Sequence, residues 1–181
     1  MKIHIETKRL ILRDLEAFDL QGMFELDSDP AVHRYLGNRP IKTLEDAKSA
    51  IAYVRDQYEE HGIGRWAVIN KATNEFVGWS GLKYEKYVRK EPYYDLGYRL
   101  RKKFWGRGIA TETALVSLQY GFQTMNLTEI FAGAHIKNIA SNKVLQKVGL
   151  TLLETFEYDR MYHHWYGISK EEWQRNSINS E

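Results

Sequence analysis

Leu96-Gly97-Tyr98-Arg99-Leu100-Arg101-Lys102-Lys103-Phe104-Trp105-Gly106-Arg107-Gly108-Ile109-Ala110-Thr111 carries an alternating strand through a basic turn with two glycines and straight into an amphipathic helix. Tyr94, Leu96, Tyr98 and Leu100 alternate with Asp95, Gly97 and Arg99, the period of a β-strand. Beyond the turn, Ile109, Val116 and Tyr120, with Leu115, Leu118 and Phe122 beside them, keep helical spacing up to about Gln123. Gly106 and Gly108 let the backbone bend tightly and approach a ligand, while the first N–H groups of the helix have no partner inside it. Those amides lie at the positive end of the helix dipole, an arrangement that cradles an anion such as a diphosphate.

Arg101, Lys102, Lys103 and Arg107 surround that helix N-terminus with cations, where acidic residues are the usual preference. A solvated basic face accounts for the charges but leaves the glycines unexplained. Spacing excludes two other phosphate loops. A nucleoside-triphosphate loop needs Gly-x-x-x-x-Gly-Lys followed by Ser or Thr, and no lysine follows Gly108. The dinucleotide fingerprint needs a third glycine where Thr111 stands.

Trp105-Gly106-Arg107-Gly108-Ile109-Ala110 resembles the acetyl-CoA motif of the GNAT N-acetyltransferases, in which Arg or Gln is followed by two residues, Gly, one residue, then Gly or Ala. Trp105 departs from the first position, and Trp-Gly-x-Gly-x-Ala before Thr-Glu is similar to the variant in the branch typified by the RimJ and RimL ribosomal-protein acetyltransferases. Other segments resemble that branch at the expected separations: Thr7 to Arg13, Asp95-Leu96-Gly97-Tyr98, Asn138-Ile139-Ala140-Ser141-Asn142, Lys147-Val148-Gly149-Leu150, and Trp165 to Trp173. The resemblance spans residues 7–173.

It implies an α+β fold with a GNAT-like central mixed, mostly antiparallel twisted sheet flanked by helices, and acetyl-CoA as co-substrate. Contacts to that co-substrate are implied for Leu100, Arg101, Lys103, Trp105, Gly106, Arg107, Gly108, Ile109, Ala110, Thr111, Asn138 and Ser141. Asp95 matches the acidic position before Leu-Gly-Tyr and is the implied base; its alternative role is a strand-end carboxylate paired with Arg99. His135 is a second candidate, because its reference pKa suits proton transfer. Many family members carry a tyrosine as acid on the helix after the Asn position, and here that position holds Leu145. In the RimJ/RimL-like branch the serine substitutes, which falls on Ser141. Asn138 and Ser141 also sit where an N-cap and a first helical turn belong. Glu112 reads as a first-turn carboxylate favoured by the helix dipole rather than as a catalytic group.

The chain's 181 residues, 43% of them hydrophobic, suit one domain over 1–181 with a substantial core. A net charge of +2 gives no general case for nucleic-acid binding. Zero cysteines exclude a thiolate nucleophile, and six scattered histidines without paired spacing lead us to expect no metal. No apolar run approaches the length of a membrane span and residues 1–9 lack a signal-peptide core, so a cytoplasmic protein, monomer or homodimer, is expected.

Periodicity predicts strands near 9–13, 65–70, 75–84, 94–100, 129–135, 151–158 and 163–168. Helices are predicted over about 15–27, 44–60, 107–123 and 138–147. Helices separated by runs of strands point to α+β. Segment 85–93 reads as a loop bordering the substrate, and Trp66, Trp79 and Tyr84 are candidates for lining an acceptor groove. Asp27-Ser28-Asp29 and Glu59-Glu60 read either as clusters that attract a cationic acceptor or, the preferred reading, as solvated acidic faces.

The implied reaction is acetyl transfer to a primary amine. An α-amino group, with pKa about 7.7–8.0, is already partly neutral at neutral pH, whereas a lysine near 10.4 is not. That favours the N-terminal α-amine of a protein or peptide. The alternatives are a small amine (polyamine, antibiotic or amino acid) and a non-catalytic acyl-CoA-binding module.

Overall fold

The structure, a computed structural model, describes residues 1–178; positions 179–181 of the expected single domain lie outside the described residues. Eight strands form one sheet in the order β1 (Ile3–Glu6), β2 (Leu10–Arg13), β3 (Trp66–Asn70), β4 (Phe76–Glu85), β5 (Tyr93–Leu100), β6 (Glu129–His135), β8 (Met161–Ser169), β7 (Thr151–Tyr158). Every neighbouring pair is antiparallel except β5 and β6, which run parallel. The sheet is therefore mixed and mostly antiparallel, as the resemblance implied.

The helices are α1 (Leu20–Asp27), α2 (Pro30–His33), α3 (Leu44–His61), α4 (Ile109–Gln119), α5 (Ile139–Lys147) and α6 (Lys170–Ile178). Sequence chemistry sets the ends of α3. Thr43 Oγ1 accepts from the Asp46 amide at 3.2 Å, Asp46 Oδ2 accepts from the Thr43 amide at 2.9 Å, and Gly62 closes the helix at φ 69°.

Two apolar clusters hold the layers together. On one side of the sheet Leu96, Leu100, Ala132 and Tyr166 pack with Ile109, Leu118 and Leu145 of α4 and α5. On the other, Ala67, Ile69 and Phe76 pack with Met23 and Leu26 of α1 and Ala47 and Ile51 of α3. Because side chains alternate along a strand, Leu96, Tyr98 and Leu100 face α4 while Asp95, Gly97 and Arg99 face the other way.

Several elements differ from the sequence expectation. The predicted helix over 15–27 begins as a 3₁₀ turn at Ala17–Asp19, and α1 proper starts at Leu20. The motif helix ends its α-helical hydrogen bonding at Gln119 and continues as a π-turn over Tyr120–Thr124, which seats Phe122 in the core. Leu115, read with the apolar face, is 47% exposed. Strand β1 and helices α2 and α6 were not predicted: α2 is a single turn, and β1 is a four-residue edge strand with exposed ends. Trp66 is fully buried beneath the sheet and lines no groove.

Candidate active site

Strands β5 and β6 are joined at one register pair, Asp95 with Phe131, and then part. Along 96–100 the backbone edge of β5 that faces β6 thus has no strand to bond, while the opposite edge is fully paired with β4. A wedge opens there, running from Asp95 toward the N-terminus of α4.

At the mouth of the wedge lies the glycine turn. Gly106 and Gly108 take φ of 71° and 72°, the left-handed region that glycine enters without steric cost, and Gly108 is the N-cap of α4. An added Cβ at Gly106 would meet nothing within 4 Å, so open space adjoins the backbone there. No amide from Gly106 to Thr111 donates a hydrogen bond to any described residue, and the first bond into the helix comes from the Glu112 amide to Gly108 O at 3.0 Å. Six free donors around an exposed turn fit the diphosphate of acetyl-CoA.

The basic residues divide. Arg101 donates to Phe76 O at 3.0 Å and pairs with Glu25, and Lys103 pairs with Glu75. Lys102 and Arg107 form no ion pair among the described residues and supply the positive field of the turn. Leu100 is buried, and its carbonyl accepts the Trp105 indole N–H at 2.8 Å. Trp105 thereby fastens the turn to the end of β5 and leaves its ring 46% exposed. Ile109 anchors the helix start in the core, and Ala110 and Thr111 are half-buried in the first turn.

Asp95 pairs with Arg65, not with Arg99. Arg65 Nη2 donates to Asp95 Oδ2, its Nη1 donates to the Asp95 carbonyl at 2.5 Å and to Gly81 O, and the guanidinium lies over the Trp79 ring. Arg99 lies over the same ring and donates to Asp27 Oδ1 at 2.7 Å. Asp27 is consequently buried, and Asp29 caps α2 through the Ala31 amide at 2.8 Å, which corrects the reading of this pair as a solvated face. Burial pushes the Asp95 carboxyl above the ordinary aspartate value, with Arg65 and Lys83 opposing.

Oδ1 of Asp95 accepts no hydrogen bond from the described residues, and Asp95 lines a cavity of about 160 Å³ together with Glu85, Tyr93, Trp165, Phe156 and His163. Glu85 is saturated there: Lys83 holds one oxygen, and the Lys86 and Tyr87 amides hold the other at 3.0 and 2.9 Å. Segment 86–92 forms the loop beside this cavity, and its Arg89 lies over the rings of Phe156 and Trp165.

His135 ends β6 near Tyr35 and His163. Its Nδ1 accepts from the Lys137 amide at 3.0 Å, which puts the proton of the neutral ring on Nε2 and makes that atom a donor. Burial, helped by Lys137, also holds its pKa below the usual histidine value. The tautomer, with a hydrogen on Nε2 and Nδ1 occupied, counts against His135 as the base.

Asn138 caps α5 by accepting from the Ser141 amide at 3.2 Å. Ser141 Oγ lies 3.1 Å from the Tyr98 hydroxyl, which also donates to the Ser141 carbonyl at 3.1 Å. Burial pushes the Tyr98 phenol up to about 12, so it remains a neutral hydrogen-bonding group. Leu145, at the position where many GNAT proteins carry a tyrosine, is buried in the core beneath.

Sequence reading missed four residues that organise this site: Arg65, Tyr98, Asn142 and Arg9. Asn142 is buried and joins α5 to β6 and β8, donating to His135 O and Asn138 O and accepting from Tyr166 Oη at 2.7 Å and His164 at 2.9 Å. Its adjacency to the Asn138–Ser141 pattern was the one signal that could have marked it. Among the described residues no group of three His, Cys, Asp or Glu is placed to hold a metal, and no helix is long and apolar enough to cross a membrane.

A free amide cradle at the start of a helix, at the end of a strand that parts from its parallel neighbour, defines an acyl-CoA-dependent transferase fold. The profile of the acetyltransferase (GNAT) domain matches residues 9–151, and the chain belongs to that family of acetyl-CoA-dependent acyltransferases. It is 32% identical over 145 residues to the uncharacterized N-acetyltransferase YoaA of Bacillus subtilis, covering 80% of this chain and 81% of that one. Two solved structures share its fold at low identity. The RimL ribosomal L7/L12 alpha-N-protein acetyltransferase in complex with coenzyme A superposes with a TM-score of 0.78 at 18% identity, covering 93% of this chain and 98% of that one. Spermidine N-acetyltransferase of Vibrio cholerae with CoA and spermine gives 0.75 at 15%, covering 93% and 99%.

Proposed function

We propose that this GNAT acetyltransferase belongs to the RimJ/RimL-like branch and moves the acetyl group to the N-terminal α-amine of a protein or peptide in the cytoplasm, as a monomer or homodimer. In the reaction a C–N bond forms, the thioester C–S bond breaks, the amine loses one proton and the departing thiolate takes one. The observation that carries the reading is Asp95: its free Oδ1 borders a cavity on the far face of the sheet, at the closed end of the wedge that leads to the cradle.

In this reading Asp95 takes the amine proton, and burial makes its carboxylate a stronger base than an exposed aspartate. An unpaired N–H on the 96–100 edge polarises the thioester oxygen. Ser141 donates to the thiolate from the other side of the wedge, and Asn138 bonds the pantetheine arm while capping α5. Positioning supplies much of the acceleration.

The α-amine is favoured because it demands little deprotonation. The cavity of about 160 Å³ beside Asp95 offers that amine a place to enter. A polyamine acceptor is the second reading, supported by the aromatic and acidic lining of the same cavity. Coenzyme A release measured against a panel of peptides with varied first residues, and against spermidine and other small amines, separates the two. Turnover concentrated on peptides is the expected result; turnover on spermidine alone rejects the α-amine.

A further inference from the structure

Arg9 stands 103 residues from Glu112 and 98 from Arg107 in the chain, yet its guanidinium joins both. Nε donates to Glu112 Oε2 at 2.6 Å, and Nη2 donates to the carbonyl of Arg107 at 2.8 Å. Resting on the reading of the glycine turn as the diphosphate site, we propose that Arg9 is a positioning residue for that site, acting through the Arg107 carbonyl and the Glu112 carboxylate.

Two physical steps lead there. In a trans peptide the C=O of one residue and the N–H of the next point in opposite directions. Holding the Arg107 carbonyl toward Arg9 therefore aims the Gly108 N–H away from Arg9, as a free donor at the N-cap. Glu112 sits in the first turn of α4, where its negative charge opposes an incoming anion even as it suits the helix dipole. Ion pairing with Arg9 cancels that charge without spending a backbone amide.

The link is poorly suited to holding the fold together. The Arg9 side chain is 47% exposed and Glu112 24%, and exposed pairs contribute little to folding. Its geometry is specific all the same: one planar fork serves a carboxylate and a carbonyl, which a lysine ammonium on one stem does poorly.

The test is calorimetric titration of the full chain with coenzyme A for the wild type, Arg9→Ala, Arg9→Lys, Glu112→Gln and Arg9→Ala/Glu112→Gln, with thermal melting of each. Arg9→Ala is expected to weaken coenzyme A binding about tenfold, with melting close to wild type, and Arg9→Lys is expected to recover part of the loss. Glu112→Gln alone should bind at least as well as wild type, and in its background the loss from Arg9→Ala should shrink. Wild-type affinity in Arg9→Ala, or an equal loss in both backgrounds, overturns the inference. A wild-type chain that does not bind coenzyme A overturns instead the reading on which it rests.

Discussion

Arg65 and Asp95 form a buried ion pair in which one guanidinium holds both the side chain and the backbone carbonyl of the same aspartate. Arg65 remains cationic at any ordinary pH. Its charge compensates a carboxylate that burial alone would render neutral, and one carboxylate oxygen is left for the cavity.

The two partners should therefore respond unequally. Arg65→Met strands a buried carboxylate and is expected to cost about 3–5 kcal/mol in urea unfolding. Asp95→Asn leaves Arg65 its bonds to two carbonyls and its place over Trp79, so its stability loss should be smaller. Its acetylation rate should fall by about 10²- to 10⁴-fold, the range for losing a general base. Wild-type turnover by Asp95→Asn would remove Asp95 from catalysis.

Gly97 is glycine because Arg65 lies against it: an added Cβ would stand 2.5 Å from Nη2 and 2.8 Å from Cζ. Gly97→Ala must push the guanidinium off Asp95. The expected result is a stability loss of about 1–3 kcal/mol together with a fall in activity, although Gly97 carries no reacting group. Denaturation and steady-state kinetics on the same preparation check both; unchanged kinetics would mean Arg65 keeps its hold on Asp95.

The Tyr98 and Ser141 hydroxyls act as one unit if Ser141 serves the thiolate. Ser141→Ala should lower kcat by about two orders of magnitude while leaving KM for acetyl-CoA near wild type. Tyr98→Phe should lower it less, and should add almost nothing in the Ser141→Ala background. Additive losses in the double variant would separate the two groups.

Acid should destabilise the fold through its histidines. His33, His135 and His163 all lie below the ordinary histidine value because burial disfavours the imidazolium, with Arg99 adding to the effect at His33. Asp27 and Asp29 oppose it at His33 without cancelling it. Below about pH 6.5 the unfolded chain binds protons that the folded chain refuses, so stability is present above that value and is lost as pH falls toward the depressed folded values. His33 is buried; its Nε2 lies 3.5 Å from Asp27 Oδ1, and its Nδ1 has no hydrogen-bond partner. His33→Phe should therefore reduce the stability lost between pH 7 and 5.5, measured by urea midpoints. An undiminished loss would place the acid sensitivity elsewhere.

Much of the fold was legible in the chain. The alternation at 94–100 is a strand, the glycines at 106 and 108 take the positive φ that the turn needs, and Asn138 caps a helix as its position indicated. Errors fell where tertiary contact outweighs local pattern. Asp27 looked solvated because its neighbours are Ser28 and Asp29, yet Arg99, 72 residues away, takes it into the interior. Trp66 looked like groove lining because an aromatic on a strand says nothing of which layer will cover it.

By itself the sequence determined the strand–turn–helix run over 94–119 and the longer strands and helices around it, though not β1, α2 or α6, because periodicity, caps and glycine conformations act over a few residues. Tertiary structure alone decided which polar groups meet: Arg65 with Asp95 across 30 residues, Tyr98 with Ser141 across 43, and Arg9 with Glu112 across 103. A side chain's partner is set by distance in space, which the sheet fixes only after eight strands have found their register.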